Sequence, residues 1–88
     1  MTVKTMDLSF GEKIRLLREE KGLNQTNLAR QVQMTQRKIS YIECGKFEPS
    51  LQDIAAFCEF FHVSADYLLG LPQGLPYPRQ EDFSFFDN

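Results

Sequence analysis

Cysteine is scarce in this chain: Cys44 and Cys58 are the only two among 88 residues. Two isolated thiols build neither a disulfide framework nor a zinc site, so both read as reduced, partly buried small side chains. Long apolar runs are missing as well. Nothing approaches the roughly 18 to 20 consecutive apolar residues of a membrane helix, and the N-terminus carries no signal-peptide core, which predicts a cytoplasmic protein. Histidine occurs once, at His62, and no glycine-rich phosphate loop or ligand-spaced metal cluster is present. Ser9, Ser50 and Ser64 all stand where helix caps are expected, not beside a general base. These absences predict a protein that is not an enzyme and needs no metal or cofactor. Alternating apolar–polar runs and internal repeats are lacking too, which leaves helices.

What is present fits one small domain. A hydrophobic fraction of 42% and a charged fraction of 25% are near the averages for a globular chain with a single core. The net charge of −2 looks unsuited to a polyanionic partner, but its distribution says more. Between Phe10 and Glu48 eight basic residues meet five acidic ones, whereas from Ser64 onward Arg79 stands against Asp66, Glu81, Asp82 and Asp87. A basic half and an acidic half suit a protein with one side toward DNA and the other turned away.

Local signals divide the chain into five helices. Residues 1–8 show no period and read as a flexible arm. Ser9 and Glu12 have capping-box spacing, and Phe10, Ile14, Leu17 and Lys21 follow at helical intervals until Gly22, predicting a helix over 10–21. Asn24 caps a short helix over 25–31 that carries Leu28 and Ala29. Thr35 caps another over 36–43, with Ile39 and Ile42 inward and Gly45 at its end. Ser50, with Asp53 three residues on, opens a fourth helix whose Leu51, Ile54, Ala55, Phe57, Cys58 and Phe61 read as a wide, deeply packed stripe. Ser64 caps a short fifth helix holding Tyr67, Leu68 and Leu69 and ended by Gly70. Beyond it Pro72, Pro76 and Pro78 forbid a regular helix. The predicted fold is all-α.

The informative stretch runs from Asn24 to Lys46. Two short helices joined by about four residues can dock at a steep angle if their contact residues allow it. Ala29 is small where the helices must approach, and Leu28, Val32, Ile39 and Ile42 supply the packing. Packing leaves Gln36, Arg37, Lys38, Ser40 and Tyr41 on the outward face of the second helix. Long amide and basic side chains near a helix N-terminus are the types that pair with base edges, Gln with adenine and Arg with guanine. A polar helix face taken by itself is also what solvent exposure alone would produce.

The surroundings decide between these readings. Leu23-Asn24-Gln25, Leu28-Ala29, Thr35-Gln36, Ile39-Ser40-Tyr41-Ile42-Glu43, Gly45-Lys46, Pro49-Ser50-Leu51 and Val63-Ser64-Ala65-Asp66-Tyr67-Leu68 run through all five predicted helices without an insertion. In this pattern the chain resembles the phage repressor and Cro-like helix-turn-helix family, the XRE-type transcriptional regulators, over about residues 10–69. The resemblance implies a compact five-helix repressor-like DNA-binding domain over 9–70, with its helix-turn-helix at about 24–43, between the arm (1–8) and a short non-helical tail (71–88). It further implies a regulator, in the main a repressor, that binds a palindromic operator as a dimer. Carried over by position, it puts Gln36, Arg37, Lys38 and Tyr41 at base edges. Asn24 and Gln25 would hold one phosphate with the help of the helix dipole, and Lys46, with the amides around Gly45, another. Thr35 and Ser40 would add phosphate or base contacts. A structural pair between Arg18 and Glu43 is implied as well.

Two positions depart from the family pattern. Gln33 and His62 stand where glycine is common, and a positive φ at a non-glycine residue costs on the order of 1 kcal/mol. The tail carries Phe83, Phe85 and Phe86 among Glu81, Asp82 and Asp87. It could be disordered, contact a second subunit, or bind a partner protein as the tail of an antitoxin would. That last alternative adds a function to DNA binding and does not replace it.

Overall fold

The computed structural model describes residues 8–71, which form α1 (Phe10–Glu20), α2 (Gln25–Gln31), α3 (Gln36–Glu43), α4 (Leu51–Phe61) and α5 (Ala65–Leu69). No strand occurs among the described residues. Residues 1–7 of the arm and the tail beyond 71 lie outside them; the partner expectation falls on that tail, and the expected dimer surface falls partly there and partly on α5.

All five helices start in the same way. The side chains of Ser9, Asn24, Thr35, Ser50 and Ser64 accept from the backbone amides of Glu12, Asn27, Lys38, Asp53 and Tyr67, which satisfies amides that the helix itself leaves unpaired. Ser9 with Glu12 and Ser50 with Asp53 form reciprocal capping boxes. Each helix is followed by a left-handed residue: Gly22, Gln33, Gly45, His62 and Gly70, with φ between 59° and 77°. The departures at Gln33 and His62 are therefore real backbone strain, both at φ 59°.

α2 packs on α3, α1 on α3 and α5, and α4 on α5. The buried core is Ile14, Leu28, Ala29, Val32, Ile39, Ile42, Phe57, Phe61 and Leu68, so the helix-turn-helix contacts expected from Leu28, Ala29, Val32, Ile39 and Ile42 are present. Phe57 meets Phe10 edge-on at 6.0 Å and stacks with Phe61 at 6.3 Å.

The apolar stripe of α4 is narrower than the sequence suggests. Phe57 and Phe61 are buried, Ile54 and Cys58 are half-buried, and Ala55 and Leu51 are exposed, Leu51 by 83%. At 3.6 residues per turn, Leu51 and Ala55 lie about 120° and 160° around the helix from Phe57, beyond the side that faces the core. Burial raises the pKa of the Cys58 thiol, in keeping with an inert packed side chain.

Two residues with no sequence signal set the helix arrangement. A Cβ on Gly11 would lie 2.3 Å from the Ile42 carbonyl oxygen and 2.7 Å from that of Glu43, so only glycine lets α1 approach the end of α3 this closely. Lys13 is 2% exposed. Its ammonium donates to the Tyr67 carbonyl at 2.7 Å and sits 5.1 Å from the Tyr67 ring centroid, tying α1 to the negative end of α5.

Candidate nucleic-acid interface

The implied pair between Arg18 and Glu43 is present and sits behind α3. Arg18 Nε and Nη2 donate to the two Glu43 carboxylate oxygens at 2.7 and 3.1 Å, and Nη1 donates to the Leu23 carbonyl at 2.9 Å. Side-chain exposure is 12% for Arg18 and 4% for Glu43. The hydrogen bonds it donates to Glu43 raise the guanidinium pKa against the opposing effect of burial. This forked contact fixes the C-terminal end of α3 to α1.

From Glu43 a chain of hydrogen bonds leads outward. Gln25 Nε2 donates to Glu43 Oε1 at 3.0 Å, and Gln25 Oε1 accepts from Gln36 Nε2 at 2.7 Å. An ionised carboxylate only accepts, so it takes the Gln25 amino group and turns the Gln25 oxygen toward Gln36. The amide of Gln36, exposed at the first position of α3, thus inherits its orientation from the Arg18–Glu43 pair.

Gln36, Arg37 and Tyr41 stand exposed on the outer face, as expected, with the Arg37 guanidinium 5.8 Å from the Tyr41 ring centroid. Lys38 and Ser40 are half-buried, which departs from the expectation of a free outward face. Lys38 Nζ donates to Asp53 Oδ1 at 2.9 Å and lies 5.2 Å from the Phe47 ring centroid, turned along the flank of the helix toward α4. Burial by itself would raise the Asp53 carboxyl; the hydrogen bonds from Lys38 and the Ser50 amide outweigh it, and the pKa falls below its ordinary value. The basic half is therefore less free than its composition suggests. Lys13 is buried, and Arg18 and Lys38 are paired.

The expected phosphate ligands differ in what they leave free. Asn24 Oδ1 is occupied by the Asn27 amide at 2.7 Å, leaving its amino group outward. Gln25 uses its side chain as the link described above. Thr35 Oγ1 accepts from the Lys38 amide at 3.1 Å and keeps its own proton to donate. Lys46 is exposed just beyond α3, but the amides around Gly45 are not available with it. Those of Cys44, Gly45 and Lys46 donate to the carbonyls of Ser40, Ile42 and Tyr41, closing the helix in a Schellman arrangement. That part of the expectation is corrected: Lys46 offers its ammonium alone. Phe47, which the sequence presents only as a loop residue, lies beside the outer face with 40% exposure.

The profile of the helix-turn-helix domain family matches residues 9–69. The HTH-type transcriptional activator BcrR of Enterococcus faecalis is 37% identical over 62 residues, 70% of this chain and 30% of that protein. The prophage-derived HTH-type transcriptional regulator YonR of Bacillus subtilis is 33% identical over 60 residues, 68% of this chain and 56% of its own. The chain thus spans about a third to a half of the curated relatives it matches. Among solved structures, the P22 c2 repressor in complex with a synthetic operator superposes with a TM-score of 0.67 and 31% identity, covering 70% of this chain and 94% of the repressor chain. With the capped helix pair α2–α3, its buried Arg18–Glu43 anchor and its polar outer face in place, the chain belongs to the phage repressor and Cro-like (XRE-type) helix-turn-helix family of transcriptional regulators.

Proposed function

We propose that this chain is a sequence-specific double-stranded DNA-binding repressor that acts as a homodimer on an operator of two-fold symmetry. The observation that carries the proposal is the orientation of Gln36. One of its amino protons goes to Gln25, which leaves one N–H and the side-chain oxygen facing outward. That donor–acceptor pair matches N7 and the N6 amino group of adenine in the major groove. Arg37 and Tyr41 read neighbouring base edges, and Lys38 contributes through the donors its ammonium retains beside Asp53. Asn24, Thr35, Ser40 and Lys46 hold phosphates on either side through their side chains, and Gln25 through its backbone amide at the start of α2. Two copies of α3 occupy successive major grooves about 34 Å apart, and occupancy of a promoter blocks transcription. The operator complex of the P22 c2 repressor supports this docking. Leu69 and Leu71, about half exposed at the end of α5, support a subunit contact there.

The test is selection from a random duplex library, followed by fluorescence anisotropy across a salt series. An enriched palindrome with half-sites one helical turn apart, bound about 10³-fold or more above random DNA, is expected. No enriched motif, with binding lost near physiological salt, would overturn the proposal. Within it, Arg37→Ala relaxes specificity at one base position by about 1–3 kcal/mol. Lys46→Ala weakens every duplex alike and lowers the salt slope by about one.

A further inference from the structure

We propose that Phe47 and Tyr41 form an apolar clasp for the 5-methyl group of an operator thymine, so that Phe47 determines specificity at one base pair without a hydrogen bond. This rests on the reading that α3 lies in the major groove. Thr35, Arg37, Lys38, Tyr41 and Phe47 line a groove of about 250 Å³ along the outer flank of α3. Two of the five are cations, yet the walls are mostly apolar, because Tyr41 and Phe47, 42% and 40% exposed, turn their rings to it. Each ring carries a cation nearby: Arg37 at 5.8 Å from the Tyr41 centroid and Lys38 at 5.2 Å from that of Phe47. Asp53 holds the Lys38 ammonium at the rim.

A rim that carries the Arg37 guanidinium beside the Lys38–Asp53 pair, around an apolar floor, suits a polyanion that presents a small apolar group. Thymine does so in the major groove, where its 5-methyl is read by apolar side chains. The groove is below the roughly 300–1,000 Å³ typical of whole-ligand pockets, so it fits a projecting group better than a small molecule. The two rings are also held in register. The Lys46 amide, immediately before Phe47, donates to the carbonyl of Tyr41 at 2.8 Å, so the turn that ends α3 places both aromatics. A cleft preset in this way gains contact on binding without having to order two side chains first.

The experiment uses the full chain and its selected operator, with each thymine replaced in turn by deoxyuridine. That change removes the methyl and leaves the base-pairing edge intact. In the unsubstituted protein, one thymine per half-site is expected to lose about fourfold in affinity, equivalent to the ~0.8 kcal/mol of one buried methyl. Phe47→Ala should bind the thymine and uracil duplexes equally, and Phe47→Leu should restore the difference. Phe47 lies outside the buried core, and equal melting temperatures would confirm that both variants are folded. An enriched operator whose uracil substitutions are all neutral, or act equally in the parent and Phe47→Ala, overturns the clasp and leaves the repressor reading intact. Failure to enrich any operator overturns both.

Discussion

Behind α3, the carbonyls of Ile42 and Glu43 lie where a side chain on Gly11 would have to go, and Arg18 and Gln25 close around the Glu43 carboxylate. In front of α3, Gln36, Arg37 and Tyr41 stand in solvent and are held mainly by one another and by the end of the relay. The rear is closely fitted and intolerant of added volume, whereas the front is open. Substitutions at the rear should register first as stability. Those in front should register as affinity or base preference at unchanged stability. The relay through Gln25 is where the two overlap.

Gly11→Ala should have the largest effect. The new Cβ meets backbone, which cannot rotate away, so a loss of about 3 kcal/mol or more is expected in denaturant unfolding. A near-neutral result would mean that α1 and α3 can separate freely, and the comparison would break. Glu43→Ala comes next. It leaves the half-buried guanidinium of Arg18 unpaired, at about 3 kcal/mol, and releases Gln25 and Gln36 as well. Discrimination at the adenine position should therefore fall in a variant that is still folded, which a binding series at low temperature would read. Arg37→Ala sharpens the contrast from the other side: specificity changes while the melting temperature does not.

Acid provides a smaller effect. The folded-state pKa of Asp53 lies below its ordinary value, so its contribution is complete above the unfolded-state pKa, near pH 4, and disappears as pH falls through the folded value. Asp53→Asn should cost on the order of 1 kcal/mol at neutral pH, and the difference from the parent should close in strongly acidic solution. A constant difference down to low pH would show that the Lys38–Asp53 pair contributes nothing through charge.

The features legible in the sequence were those made by neighbours in the chain. Ser9, Asn24, Thr35, Ser50 and Ser64 cap helices through bonds to residues three positions on, and Gly22, Gly45 and Gly70 end them, so the bounds of the elements could be read within a residue or so. What stayed hidden depends on partners distant in sequence. Nothing near Lys13 announces Tyr67, 54 residues away. Lys38 looks like a free base contact until Asp53 is brought beside it, and Gly11 looks like a weak helix residue until α3 lies against it. The α4 stripe was overread because an apolar sequence does not reveal how much of a helix its neighbours cover. The site followed the same rule. The exposure of Gln36, Arg37 and Tyr41 was legible from the helix period, and the surrounding family pattern supplied the expectation of base contact, whereas Phe47 acquires a setting only when the loop folds back along α3.

The two helix exits that lack glycine have a practical consequence. Gln33 and His62 hold a left-handed backbone that disfavours side chains, and both are exposed, so exchanging them for glycine disturbs no core contact. Relief of the conformational strain outweighs the extra freedom glycine gives the unfolded chain, by a net amount on the order of 0.5 kcal/mol at each site. The protein therefore carries untapped thermodynamic headroom at two surface turns. A doubly substituted parent would tolerate rear-side lesions such as Glu43→Ala while remaining folded, so that their influence on base reading could be measured separately from unfolding.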